Sequence, residues 1–311
     1  MDNPLIGKIY NMTKISNEDA KVFYLKNYPK TTKDRSPDPN KIGAPLERFS
    51  KAMFCGFSPL DGTDLHHNEI VHNGGTNNPP DYVLKEPLTA VEVKQSRISS
   101  KKSCSFSSEL NSSPPYNKMC IDKTKAKPDF DILLKEHERD CIDVIYQLGG
   151  VLDDRVVRDV CIYGDCFADD IRLFWDQYVV KLGNKLLGAG EEIKKEGYNT
   201  PKDHKDGNEL YRIDNIDRLG RTWLRVRGMW MYEFKKYLVE DVGINFKAEN
   251  MNKYYSYNII SKKMYNNLSN SDKEWLNESN IEKKDIQITN PVCSKFNEEN
   301  YKDIVLLKLE I

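Results

Sequence analysis

Apolar residues recur at three- and four-residue spacing in two stretches of the chain. Leu46, Phe49 and Met53 mark the first. Pro45 suits the start of that helix, because a first-turn residue has no use for the N–H that proline lacks. Ile171, Phe174, Trp175, Val179, Leu182 and Leu186 mark a longer helix over 169–187. Asp169 and Asp170 stand where the helix dipole favours acids. A shorter helix is expected over 131–139. Other stretches alternate with period two and are rich in β-branched residues, which predicts strands at 88–94, 142–148, 156–163 and 304–307. Asp81–Leu84 reads as a short extended piece, and the turn at Glu86-Pro87 lets it pair with 88–94 as a hairpin. Residues 29–45, 73–80 and 199–209 read as loops. Mixed strands and helices predict an α/β domain. The last 70 residues, rich in Asn, Lys, Ser and Tyr, have weak periodicity.

Composition narrows the picture. The 311 residues carry 47 Lys+Arg against 48 Asp+Glu, and 39% are hydrophobic. That is enough apolar material for a packed core, in one large domain or two small ones. The near-zero balance excludes a generally basic, histone-like protein but leaves room for local basic surfaces. No apolar run is long enough to span a membrane, and Met1-Asp2-Asn3-Pro4 opens no signal peptide. Seven cysteines include no Cys-x-x-Cys pair, so the reading is of reduced, mostly buried thiols in a cytoplasmic protein.

The sharpest chemistry lies at Pro80-Asp81 and Glu92-Val93-Lys94. Residues two apart in a strand share a face, so Glu92 and Lys94 project together. The hairpin would bring Asp81 beside Glu92. Two neighbouring carboxylates repel each other, and a divalent ion relieves that repulsion. Oxygen-only ligation suits magnesium. Such an ion can polarise a phosphodiester and acidify a bound water. Lys94 could orient that water, stabilise charge on the phosphate, or act as general base. Acid-x-Lys triplets recur in this charged chain, as at Asp19-Ala20-Lys21 and Glu233-Phe234-Lys235, and Pro-Asp recurs at 37–38 and 128–129. Only Glu92-Val93-Lys94 combines a β-branched strand with a Pro-Asp hairpin partner. The alternative is an edge hairpin with a solvent-facing Glu–Lys pair.

Pro80, Asp81, Glu92 and Lys94, with the strand that carries the last two, resemble the PD-(D/E)xK nuclease superfamily, and within it the type II restriction endonucleases. The resemblance covers residues 44–165. It implies a restriction-endonuclease-like mixed central sheet flanked by helices. It implies Asp81 and Glu92 as magnesium ligands and Lys94 as the catalytic lysine. Glu47, on the helix before the hairpin, stands where several such enzymes carry another acid. It further implies a prokaryotic, cytoplasmic homodimer that cuts double-stranded DNA to leave 5′-phosphates. On this reading residues 1–205 form the catalytic core, and 206–311 a DNA-recognition or dimerisation part of the same domain. Two alternatives stay open: a structure-specific repair or recombination nuclease on the same fold, and a non-catalytic DNA-binding or interaction module.

Other motifs carry less. Gln95 would face away from Glu92 and Lys94 unless the strand bulges. His66, His67 and His72 fit no zinc spacing and span too few residues for a His-Asn-His nuclease motif; a polar loop is expected. No Gly-x-Ser-x-Gly elbow or phosphate loop is present. For nucleic acid, Arg212, Arg218, Arg221, Arg225 and Arg227 fall within sixteen residues, with Trp223 among them and Trp230 just beyond. At helical spacing Arg218, Arg221 and Arg225 share a face, either toward DNA or simply solvated. Residues 96–113 hold nine serines together with Arg97, Lys101 and Lys102. They read as a loop placed to contact the DNA backbone beside the catalytic strand, or as a plain disordered one.

Overall fold

The computed structural model describes residues 3–15, 44–56, 68–75, 78–97, 107–111, 116–121, 128–152, 155–168, 185, 188, 209–213, 224–227, 230–233, 237–244, 253–289 and 301–311. Helix α1 (Pro4–Met12) is set up by its own sequence. Asn3 caps it by accepting from Leu5 N at 3.0 Å, and Pro4 fills the first turn. Its apolar stripe, Leu5, Ile6, Ile9 and Met12, is fully buried. Helix α2 (Ala44–Cys55) buries Leu46, Phe49 and Met53, the three positions its periodicity picked out. Helix α3 (Pro128–Glu136) begins at its proline, three residues ahead of the expected start.

Strands β1 (Ile70–Gly75), β2 (Asn78–Leu84) and β3 (Thr89–Arg97) open the main sheet. Strands β6 (Cys141–Leu152) and β7 (Arg155–Tyr163) form its centre, and β11 (Tyr255–Ser261), β12 (Ile281–Thr289) and β13 (Tyr301–Glu310) complete it. The order is β1-β2-β3-β6-β7-β11-β13-β12, with the short β5 (Lys118–Cys120) also paired to β6. The β3–β6 and β7–β11 pairs are parallel and the others antiparallel. Helices pack against this mixed sheet in a restriction-endonuclease-like α/β fold. The edge strand β12 keeps Glu282, Lys283, Lys284 and Asp285 exposed. No helix among the described residues is long and apolar enough to cross a membrane.

A continuous polar chain crosses the core. Lys8 of α1, fully buried, pairs with Asp159 of β7 and donates to Asn258 Oδ1 at 3.2 Å. Gln147 of β6 donates to Asp159 Oδ1 at 2.7 Å. Ser50 of α2 then donates to Gln147 and shares a 2.5 Å hydrogen bond with Tyr82 of β2. Each link satisfies a buried polar group that would otherwise be costly. Together they fix both helices to the strands beneath them.

Several expectations are corrected. Cys120 and Cys141, read as thiols, are joined by a disulfide. They oppose each other across β5 and β6, a proximity that 21 residues of separation did not advertise. Cys161 and Cys166 are free and buried, and Cys55 is free and half-buried. Within the expected serine-rich loop, Ser107–Asn111 forms β4, whose partner β10 (Trp230–Glu233) lies far along the chain. Arg225 and Arg227 lie on strand β9 (Leu224–Arg227), paired with β8 (Glu209–Ile213), not on a helix. His72 is buried in β1 rather than placed in a loop. The expected helix 169–187 falls outside the described residues, apart from Lys185, as do Arg218, Arg221, Lys101, Lys102, His66 and His67.

Candidate active site

Strands β2 and β3 pair antiparallel through Tyr82–Val91, Val83–Ala90 and Leu84–Thr89. One step further, the same register sets Asp81 opposite Glu92, and opposed residues of an antiparallel pair project to the same side. Asp81 is fixed there by its own hydrogen bond. Its Oδ2 accepts from Val93 N at 2.6 Å, so a side chain stands in for the next rung of the ladder. Lys94 donates to Glu92 Oε1 at 2.5 Å. The β-branched Val91 and Val93 pack into the core with Tyr82 and Leu84, which sends Glu92 and Lys94 to the other face.

The electrostatics show how closely these groups sit. Burial pushes the Asp81 carboxyl up to about 8, and neighbouring Glu92 adds to the rise; Lys94 and the Val93 N–H hold it down, and Glu47 adds a smaller upward push. Burial alone would lower the Lys94 pKa. Glu92 and Asp81 together outweigh it, so the ammonium is held above its ordinary value. Glu92 is 7% exposed, and its Oε2 has no hydrogen-bond partner.

Helix α2 lies beside this cluster. Glu47 is a third exposed and pairs with Lys51 one turn later, at 2.6 Å. Lys51 also donates to Asn73 Oδ1 of β1 at 2.9 Å and sits 5.3 Å from the Tyr82 ring centre. Glu47 thus reaches the cluster through its charge, while Lys51 holds it by a direct contact. Lys51 was not singled out from the sequence, although its four-residue spacing from Glu47 was visible. Gln95 stays on the opposite face from Lys94, because β3 runs against β6 in unbroken register from Thr89 to Arg97. Its amide nitrogen and oxygen are buried without partners. His72 lies 3.6 Å from Asp129 and edge-on to Phe130, packed against α3.

Among the described residues, no group of three or more His, Cys, Asp or Glu side chains forms a ready metal cage. The donor set nevertheless fits a magnesium ion. Two neighbouring carboxylates, one raised in pKa and one with an unpartnered buried oxygen, share the single ammonium of Lys94, and a hard cation would supply the further positive charge and oxygen-directed bonds they call for. Magnesium binds through one or two carboxylates and keeps waters or substrate phosphates in its other positions.

The sheet and this carboxylate–lysine cluster define a restriction-endonuclease-like protein. Sequence comparison carries the assignment further. Residues 9–292 match the NgoPII restriction endonuclease family. The chain is 30% identical over 261 residues to the type II restriction enzyme NgoPII of Neisseria gonorrhoeae, covering 81% of this chain and 84% of that one. No solved structure matches significantly. The chain belongs to the NgoPII restriction endonuclease family, whose members are type II site-specific deoxyribonucleases.

Proposed function

We propose that this chain is a magnesium-dependent endonuclease that hydrolyses phosphodiester bonds at a defined site in double-stranded DNA. Asp81, Glu92 and Lys94 are its reacting residues. The main support is the meeting of two carboxylates and an ammonium at one buried point on β2 and β3.

Asp81 and Glu92 would hold the ion, which when bound polarises the scissile phosphate and acidifies a water. Lys94 stays protonated between the two carboxylates. Its ammonium can orient the attacking water and stabilise charge on the phosphate oxygens, or serve as general base once a bound metal draws its pKa down. The Val93 N–H holds Asp81 in place for this work. Glu47 adds a third carboxylate within electrostatic reach of Asp81 and Lys94. A homodimer is proposed as well, because a two-fold site in duplex DNA is matched by a two-fold protein.

The test is a digest of unmethylated phage DNA with magnesium, against an EDTA control. Discrete fragments are expected with magnesium only. Asp81→Ala, Glu92→Ala and Lys94→Ala should each abolish cutting while leaving circular dichroism unchanged. Full cutting by these variants would overturn the residue assignment, and a smear from the unaltered chain would overturn site specificity.

A further inference from the structure

Strands β8 and β9 form a two-stranded ribbon outside the main sheet. Its register opposes Arg212 to Arg225, Tyr211 to Val226 and Ile213 to Leu224, with Glu209 opposite Arg227 beyond a register shift. Residues two apart in a strand share a face, so Arg225 and Arg227 fall together, and Arg212 joins them as the cross-strand partner of Arg225. By register position the ribbon therefore sets Arg212, Arg225 and Arg227 on one face and Tyr211, Ile213, Leu224 and Val226 on the other, with Leu210 at the register shift.

Like charges directly opposed across a ribbon are destabilising. An anionic ligand set against the face that carries the opposed Arg212 and Arg225 positions relieves such repulsion. A two-stranded ribbon fits the major groove of B-DNA, and the arginine fork matches guanine O6 and N7. The chain path places the ribbon close to the chemistry. Only Gly228 and Met229 separate β9 from β10, β10 pairs with β4, and β4 lies against β3, which carries Glu92 and Lys94.

We propose that the β8–β9 ribbon reads base edges in the major groove, with Arg212, Arg225 and Arg227 as its reading face. This rests on the DNA-cutting reading above and names its specificity element. Phosphate contact by the same arginines would give affinity without sequence preference, which makes the two roles separable.

The test is capture of a randomised duplex pool by the full chain, with calcium in place of magnesium, followed by sequencing. The unaltered chain should enrich one motif containing guanine. Arg→Lys variants at 212, 225 and 227 keep the charge but lose the fork. Each should lower the preference for one guanine by about 5- to 100-fold. Unchanged preference in the lysine variants, a uniform loss across all sequences in alanine variants, or no motif at all would overturn the proposal. A motif captured by a chain that cuts nothing would instead sink the nuclease reading and leave the ribbon standing.

Discussion

An aspartate that keeps its proton to about pH 8 is a group the fold tolerates at a cost. In metal-free protein, the unfolded chain ionises Asp81 near pH 4, while the folded chain holds the proton until about pH 8. The stability tied to this shift is therefore fully present below pH 4 and is lost as pH rises through about 8. Asp81→Asn removes the titration and can still accept from Val93 N. In EDTA the melting temperature of this variant should gain on the unaltered protein from pH 5 to pH 8.5. A gap independent of pH would mean that Asp81 does not sit in the crowded carboxylate cluster described. The residues behind this behaviour were legible because their signal is local: alternation in 88–94 sets the face, and the Glu86-Pro87 turn sets the hairpin. Lys51 and the unpartnered Gln95 amide were not, since their surroundings come from β1, α2 and β6, which only tertiary packing brings near.

At the scale of elements, the contact of α2 with β6 decides where Glu47 and Ser50 stand. Gly149 makes that contact possible. A Cβ there would lie 2.4 and 2.5 Å from the Leu46 methyls and 3.0 Å from its Cγ. Leu46 is fully buried and has little room to yield. Gly149→Ala should destabilise the protein by about 1–3 kcal/mol through overpacking. Leu46→Ala alone should cost about 2–5 kcal/mol. In the double variant the two costs should fall well short of their sum, because the second change removes the clash made by the first. Thermal unfolding of the four proteins measures this, and strict additivity would place α2 elsewhere. Elements were read correctly where one face is wet, as for α2. Strand β11 was missed, being buried on both faces with no alternation to detect; β12, with four charged residues in succession, was missed as well, because that run hides its period of two. The helical reading of Arg218, Arg221 and Arg225 failed at Arg225 for another reason. Arginine spacing records nothing about the pairing of β8 with β9, which sets the backbone there.

For the molecule as a whole, the expected assembly has a direct readout. Light scattering should give about twice the 36.1 kDa chain mass if two copies act on a two-fold site. A single-chain mass at the concentrations used for cleavage would remove the dimer from the proposal. One way for two sheets to join is closed at β12. Its outer edge carries Glu282, Lys283, Lys284 and Asp285 in succession, all exposed. A neighbour docking there, strand to strand, would set charged residues against its own backbone. Among the described residues, this charged margin disfavours growth of the sheet into filaments and favours another surface for any pairing of copies.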